Sequence, residues 1–350
     1  MKNLLYTLII IATLTSCGTS PKGQSIEEVQ TEARSLCNIP NEQIETIMRA
    51  DSAVKWGCAA VMDVNTGRTR LSGRVRDSLG MPSRYGGGIV IDSLLEVGGA
   101  FRTATLLALL DNGDAELDDI FDYQDSRVMV GSAVCSDSSI SGEVSLRNAF
   151  LLDSDPAFAM GSYKAYFGEG GDSGKFYTSI ENMGFAVENR PPTQLAAINS
   201  YGYGIVAKPA QTLQLFSAIA NGGRLLDIKY FLDDTTKVIN PQIASKRAIK
   251  KVQQLLVERG DKSGFDNVAF TMGTTFNRNA DGERIYYTTV AGYFPADAPR
   301  YAAIVSIDND GVVNNYALNI FAELVREMKA SHYLLSSTMW NGDCICCLED

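Results

Sequence analysis

The chain has 350 residues, of which 45% are hydrophobic and 21% charged, a composition typical of a globular protein with a sizeable core. The formal net charge is −10 and the lysines and arginines form no cluster, which argues against nucleic acid as a partner.

The N-terminus resembles the signal sequence of a bacterial lipoprotein. Lys2 gives a positive start, residues 4–14 form an apolar run too short to span a bilayer as a mature helix, and residues 14–17 resemble a lipobox. The sequence therefore predicts cleavage before Cys17 and lipidation of its thiol. The lipid would anchor the protein to a membrane of the cell envelope, facing the periplasm or the exterior. The alternative is an ordinary signal peptide with a chance cysteine.

The next elements in chain order are a tether, a helical segment and a hairpin. Residues 18–24 are small and polar, and residues 26–51 have the spacing of one or two helices. A strand at 57–63, a turn at 65–67 and a return strand at 68–73 follow. Residues 101–110 then predict a buried helix.

The rest of the chain divides into a helical block and a block of strands. Residues 114–225 are predicted to be mostly helical with Gly- and Ser-rich connections, including a helix capped by Ser145 and one over 209–220. β-branched and aromatic residues predict strands at 268–275, 285–293 and 301–307, before an amphipathic helix at 314–329.

This order predicts an α+β fold, in which an antiparallel sheet takes strands from both ends of the chain, is flanked by helices and carries an inserted helical subdomain. The predicted organisation has four segments. They are a signal peptide and lipobox at 1–17, a tether with N-terminal helices at 18–50, one domain at 51–330 and a C-terminal tail at 331–350.

The six cysteines after Cys17 have no paired zinc-binding spacing, so neither a metal nor a cofactor is expected. Cys58 lies in an apolar run and is predicted to be a buried small hydrophobic residue. The tail cysteines Cys344, Cys346 and Cys347 either belong to an unstructured tail or form a disulfide or metal site.

Six stretches follow one another in the order of a known domain: residues 59–67, 96–113, 144–158, 201–223, 269–275 and 292–301. Together they resemble the transpeptidase domain of class B penicillin-binding proteins, with the serine β-lactamase/DD-peptidase fold. The resemblance covers roughly 55–330. It implies a serine acyltransferase of peptidoglycan that binds penicillin, with a lysine accepting the proton of the serine.

All three active-site motifs of that family are altered in this chain. Gly99 and Arg102 stand at the serine and lysine of Ser-x-x-Lys, and a guanidinium does not release its proton near neutral pH. Asp153 and Asp155 stand at the serine and asparagine of Ser-x-Asn. In the third motif, Lys-Thr/Ser-Gly, Thr271 replaces the lysine, whereas Gly273 is kept and is followed by Thr274 as in the family.

Two other stretches match the family's motifs in sequence but not in their position along the chain. Ser52 and Lys55 have the Ser-x-x-Lys spacing but precede the first strand, and residues 262–264 read Lys-Ser-Gly in a predicted polar loop. Replacement nucleophiles are conceivable at Ser154, Thr103 and Cys135, but none has a lysine or histidine at a family position. The single histidine, His332, falls in the predicted tail.

The charges at the altered positions are complementary. If the fold is that of the family, Arg102 faces Asp153 and Asp155, and we expect an ion pair between Arg102 and one of them. The alternative is that each side chain faces solvent independently. Such a pair could leave a groove that binds a peptidoglycan stem peptide without cleaving it. The ligand-binding candidates are Arg102, Asp153, Asp155, Thr271, Gly273 and Thr274.

Three functions follow from this pattern. The favoured one is a catalytically inactive, penicillin-binding-protein-like lipoprotein that binds stem peptide or cell-wall synthesis proteins and regulates peptidoglycan assembly. The second is a divergent but active DD-transpeptidase or carboxypeptidase. The third is an envelope protein without a wall ligand. Fold alone does not decide between them.

Overall fold

The computed structural model describes residues 56–75, 91–123, 127–136, 140–186, 196–230, 235–278, 284–308 and 315–338. The signal peptide, Cys17, the helices predicted at 26–51, Ser52 with Lys55 and the tail cysteines lie outside the described residues. The chain divides into a large unit, residues 41–327, and a small unit formed by residues 1–40 and 328–350. Of the small unit the structure describes residues 328–338, which belong to the final helix.

Strands dominate the two ends of the large unit, and most of the helices lie between them. The strands, in chain order, are β1 (Trp56–Asp63), β2 (Thr69–Val75), β3 (Leu95–Glu96), β4 (Ile120–Tyr123), β5 (Arg127–Val130), β6 (Ala133–Ser136), β7 (Gly142–Ser145), β8 (Val206–Ala207), β9 (Leu225–Leu226), β10 (Val238–Asn240), β11 (Ala269–Arg278), β12 (Arg284–Phe294) and β13 (Tyr301–Asp308). The α-helices are α1 (Arg102–Asp111), α2 (Leu146–Leu151), α3 (Asp155–Ser162), α4 (Ser173–Asn182), α5 (Pro209–Ala220), α6 (Lys246–Lys262) and α7 (Tyr316–Thr338).

A five-stranded antiparallel sheet in the order β11-β12-β13-β1-β2 forms the centre of the fold. Strands from both ends of the chain meet in it, as the sequence predicted, because β1 pairs with β13. Every residue of β13 is buried, and so is every residue of β1 after Trp56. Burial of successive residues means that both faces of these two strands are covered. Cys58 is fully buried, as predicted.

The first hairpin is set by its turn. The Asp63 carboxylate accepts hydrogen bonds from the backbone N–H groups of Asn65 and Thr66, at 3.0 and 2.8 Å. Gly67 then takes a φ of +80°, which favours glycine. These local bonds reverse the chain between β1 and β2 at the predicted turn.

The region 114–225 is less helical than the sequence predicted. Short hairpins occupy its first part, since β4 pairs with β7 and β5 pairs with β6. Buried and exposed residues alternate along β4 and β6, the pattern of a half-buried strand. The prediction took these Gly- and Ser-rich stretches as connections and missed four-residue strands.

The helices agree with the prediction in part. Ser145 caps α2 by accepting a hydrogen bond from the Asn148 N–H, and α5 begins at Pro209, both as expected. Helix α6 was not predicted, and α7 continues past Lys329, so His332 lies within a helix. Among the described residues, no helix has the length and apolarity needed to cross a membrane.

Candidate functional site

The altered serine position lies in a short 3-10 helix, Gly98–Phe101, that leads directly into α1. Gly98 takes a φ of +64°, and a Cβ atom there would lie 2.9 Å from the Cβ of Thr275 on β11. Gly99 is buried and offers no hydroxyl or thiol to attack a carbonyl.

Arg102 occupies the space that a side chain at position 99 would need. It is the first residue of α1 and is 5% exposed. A Cβ built on Gly99 would lie 2.5 Å from Nη2 of Arg102 and 2.8 Å from its Cζ. Contacts this short are not tolerated between non-bonded atoms. A side chain at 99 and the arginine in its present position therefore exclude one another.

Asp153 and Asp155 both pair with Arg102, where an ion pair with one of them was expected. Nη2 of Arg102 lies 2.6 Å from Oδ1 of Asp153, and Nη1 donates to Oδ1 of Asp155. The two aspartates flank Ser154 in the connection between α2 and α3, and Asp155 is the first residue of α3. A carboxylate in the first turn of a helix is favoured by the helix dipole.

Arg259 of α6 is a fourth member that the sequence did not reveal. Its Nη1 and Nη2 donate to Oδ1 and Oδ2 of Asp153 at 2.8 and 2.5 Å, a two-pronged contact. No motif covers α6, so nothing singled this arginine out among the other basic residues of the helix. We call Arg102, Asp153, Asp155 and Arg259 the ion-pair cluster.

The ion-pair cluster is layered by charge. The side chains of Arg102 and Arg259 are 6% and 8% exposed, whereas those of Asp153 and Asp155 are each 37% exposed. The cations therefore lie beneath, and the carboxylates form the solvent-facing layer. Both guanidinium groups are engaged by carboxylates, which is how a buried charge is normally compensated.

The third motif packs against the first. A Cβ on Gly273 of β11 would lie 2.4 Å from the backbone nitrogen of Ala100 and 2.5 Å from Cα of Gly99. Thr271 is buried and supplies no cation at the family's lysine position. The side chain of Thr274 lies on the opposite face of the strand from Thr271 and Gly273, and its hydroxyl lies 2.9 Å from that of Thr288. The structure thus brings Gly273 to Gly99 and directs the Thr274 side chain away.

The conceivable replacement nucleophiles are buried. Ser154 and Thr103 are both 0% exposed, and the Ser154 hydroxyl lies 2.5 Å from that of Tyr123. Cys135 is buried on β6 with its sulfur 3.8 Å from the Tyr201 hydroxyl, and burial raises the pKa of its thiol. Burial also raises the pKa of Tyr201, with Cys135 and Asp155 adding to the shift. A neutral, buried thiol is a poor nucleophile.

Glu96 is a second residue that the sequence did not single out. Its carboxylate accepts a 2.7 Å hydrogen bond from the Gly204 N–H and one from the Thr275 side chain. Burial raises its pKa above the usual value, against these two bonds. The side chain therefore lies beside β11, two residues beyond Gly273.

The remaining sequence matches do not contribute to this site. Lys262 is the last residue of α6 and pairs with Glu258 at 3.1 Å, and Ser263 and Gly264 form the exposed turn that follows. Within the described ranges, no group of three or more histidine, cysteine, aspartate or glutamate side chains is arranged to hold a metal ion.

Comparison with known proteins identifies the scaffold. The family model described as penicillin binding protein transpeptidase domain matches residues 57–329. The apo structure of the TP domain of penicillin-binding protein 3 from Burkholderia pseudomallei aligns with a TM-score of 0.62 and 17% identity, over 85% of this chain and 93% of that chain. Penicillin-binding protein 3 from Mycobacterium tuberculosis, complexed with aztreonam, aligns with a TM-score of 0.66 and 18% identity, over 85% and 76%. Identities this low establish a shared fold and leave the activity to be argued from the site.

Proposed function

The chain belongs to the penicillin-binding protein transpeptidase domain family, and we propose that it is a non-acylating member that binds or regulates in peptidoglycan assembly. In this proposal the protein is a lipoprotein of the bacterial cell envelope, anchored through Cys17. Its partners are the stem peptide of peptidoglycan or the proteins that build the wall.

One observation carries the proposal. The guanidinium of Arg102 fills the position where the side chain of a nucleophile at 99 would begin. The loss of the serine is therefore matched by a replacement that uses the vacated space, and two aspartates hold that replacement in place. A site that had lost its function without gaining another would not be expected to hold a buried arginine between two paired aspartates.

The residues at the motif positions do not supply the groups that acyl transfer needs. An acylating residue needs an activated hydroxyl or thiol and a group that accepts its proton. Gly99 has neither, and Arg102 keeps its proton. Ser154, Thr103 and Cys135 are buried, so a substrate carbonyl cannot reach them without a rearrangement.

The charge layering supports a particular mode of stem-peptide binding. A peptide held by its terminal carboxylate needs a free cation, yet Thr271 is uncharged and both cluster arginines are occupied. The Asp153 and Asp155 carboxylates are paired with these arginines too, so the cluster is neutral as a whole. They nevertheless form its exposed layer, so the negative end of each pair faces solvent and attracts an ammonium group. We therefore assign the ligand an amine-bearing stem peptide that binds through its cationic group.

Labelling with a fluorescent penicillin tests the loss of acylation. The purified mature protein is compared with an active penicillin-binding protein under the same conditions, and we expect no covalent adduct. A stable adduct would show that the protein is a divergent active enzyme, and peptide mass mapping would identify the nucleophile.

Titration with stem-peptide fragments, followed by NMR, tests the binding mode. A fragment with a free side-chain amine is expected to bind, and the same fragment with that amine acetylated is not. Asp155→Asn should weaken binding, whereas Glu258→Gln, which removes a carboxylate that pairs with Arg147 and Lys262, should not. If neither fragment binds, an envelope protein without a wall ligand becomes the better description.

A further inference from the structure

Arg259 makes more contacts in the ion-pair cluster than a simple counter-charge requires. Besides its two bonds to Asp153, its Nη1 donates to the backbone carbonyl of Phe150 at 3.2 Å. Its Cζ also lies 5.9 Å from the centre of the Phe270 ring on β11. A carboxylate, a backbone carbonyl and an aromatic face thus hold the guanidinium of Arg259 in one position on α6.

Asp153 holds a backbone conformation that an L-residue rarely adopts. Its φ is +61°, and the one other non-glycine residue with positive φ in the described part of the chain is Asn267. Such a conformation persists where surrounding contacts determine it. At Asp153 the backbone bonds that end α2 determine it, because the N–H groups of Asp153 and Ser154 donate to the carbonyls of Phe150 and Ala149 at 3.5 and 2.8 Å. The two-pronged bond from Arg259 and the bond from Arg102 then fix the direction of the Asp153 carboxylate.

The same carboxylate oxygen connects the two arginines. Oδ1 of Asp153 accepts from Nη1 of Arg259 at 2.8 Å and from Nη2 of Arg102 at 2.6 Å. That Nη2 atom is the one 2.5 Å from the position of a Cβ at residue 99. A continuous chain of contacts therefore runs from α6 through Asp153 and Arg102 to Gly99.

We propose that Arg259 is a positioning residue that fixes the side chain of Asp153, so that the Asp153 carboxylate places the Arg102 guanidinium over Gly99. Without Arg259, the Asp153 carboxylate loses its two-pronged partner and turns away from Arg102. Arg102 then keeps Asp155 as its remaining partner in the cluster, and the space at position 99 opens. This role rests on the proposed function, because it treats position 99 as a site without a nucleophile.

A cysteine introduced at position 99 reports whether Arg102 covers it. In Gly99→Cys the guanidinium must shift to admit the new side chain, but Asp153 and Asp155 still hold it against the thiol, so we expect slow alkylation by iodoacetamide. Because a neighbouring guanidinium also favours the thiolate, the rates are compared at a pH high enough to ionise the thiol in every variant. In Gly99→Cys/Arg259→Met we expect alkylation faster by about tenfold, which corresponds to roughly one charge-assisted hydrogen bond. The chain has seven native cysteines, so the modified residue is located by peptide mass mapping.

Three companion variants separate positioning from a merely structural effect. Gly99→Cys/Asp153→Gly keeps a left-handed backbone but removes the carboxylate. Its thiol should be alkylated as fast as that of Gly99→Cys/Arg259→Met, and combining all three changes should not raise the rate further. Gly99→Cys/Arg259→Lys keeps the positive charge but loses the planar guanidinium that bonds both oxygens of Asp153, so its thiol should also be alkylated fast. Gly99→Cys/Arg147→Met breaks the ion pair between Arg147 and Glu258 of α6, and it should be alkylated at the same rate as Gly99→Cys.

The outcomes are decisive in both directions. If Arg259→Met leaves the alkylation rate of Gly99→Cys unchanged, or Arg147→Met raises it equally, Arg259 has no positioning role. If the cysteine variants do not fold, a crystal structure of Arg259→Met decides. The Asp153 carboxylate should have turned away from Arg102 and Nη2 of Arg102 should have moved from Gly99, and an unchanged cluster overturns the proposal. Penicillin labelling is read separately, so failure of the proposed function and failure of this role are distinguishable.

Discussion

Gly273 lies so close to Gly99 that it cannot carry a side chain without displacing the backbone of residues 99 and 100. A Cβ on Gly273 would lie 2.5 Å from both Cα and N of Gly99, and 2.4 Å from the nitrogen of Ala100. The edge strand β11 and the start of α1 are therefore in direct backbone contact, and this contact brings the remnants of the first and third motifs together.

The first prediction concerns this contact. Gly273→Ala places a methyl group against backbone atoms, which cannot rotate away, so we expect a destabilisation of about 1–3 kcal/mol. The free energy of unfolding in urea measures it. Gly174→Ala in α4 is the matched control, because the nearest atom there belongs to the Asp172 side chain, at 3.1 Å. The control should stay within about 0.5 kcal/mol of the unchanged protein, and equal effects at the two sites would contradict the packing argument.

The second prediction is that residues 99 and 102 are energetically coupled. Gly99→Ala should destabilise the protein, because its methyl group would lie 2.5 Å from Nη2 of Arg102. In an Arg102→Ala background the added methyl group meets no guanidinium, so its cost should fall by about 1–2 kcal/mol. A double-mutant cycle in urea gives this coupling energy. The cycle of Gly99→Ala with Arg147→Ala should be additive, and similar coupling in both cycles would show that the effect is not local.

The third prediction ranks the two aspartates. Asp153 accepts three hydrogen bonds from Arg102 and Arg259, whereas Asp155 pairs with Arg102. Asp153→Asn leaves two buried guanidinium groups short of charge and should cost about 2–3 kcal/mol, while Asp155→Asn should cost about 1 kcal/mol. Urea denaturation at low and high salt measures both. A larger loss for Asp155→Asn than for Asp153→Asn would contradict this ranking.

The sequence predicted those parts of the site that have a position in a motif. Arg102, Asp153 and Asp155 came from collinear segments, and their opposite charges were enough to predict an ion pair. Arg259 could not be found this way, because it lies in no family-like segment and reaches the site through tertiary packing. Glu96 opens the segment 96–113 but is not one of its altered motif residues, and its contacts with Gly204 and Thr275 are tertiary. The same limit applied to β4 and β6, since alternation over four residues is too short a signal to separate a strand from a connection.

The fourth prediction concerns the anchor at Cys17. If the thiol is lipidated after cleavage, the unchanged protein should sediment with membranes and Cys17→Ser should be released or retain its signal peptide. Incorporation of a radiolabelled fatty acid, compared between the two, measures the modification directly. Cys37→Ser serves as the control and should label as the unchanged protein does. Equal labelling of Cys17→Ser would show that the lipobox is a chance match.

The fifth prediction uses the raised pKa of Glu96. Burial makes the folded protein hold this proton more tightly than the unfolded chain, whose carboxyl titrates at about 4.5. The stabilising contribution of the protonated form is thus complete below that pH and is lost as the pH rises through the higher value of the folded state. At neutral pH the ionised carboxylate is unfavourable in the fold.

Glu96→Gln can accept the same hydrogen bonds without the charge, so it should be more stable than the unchanged protein at pH 7. This advantage should shrink as the pH approaches 4.5. Glu116→Gln is the control of opposite sign, because the hydrogen bond and charge of Lys251 lower the pKa of Glu116. It should be less stable at pH 7, with the difference also disappearing in acid, where both carboxylates are protonated. Thermal unfolding from pH 8 down to about pH 2, where carboxylates are protonated, tests both. A Glu96→Gln variant that is less stable at pH 7 would show that the Gly204 and Thr275 bonds outweigh burial.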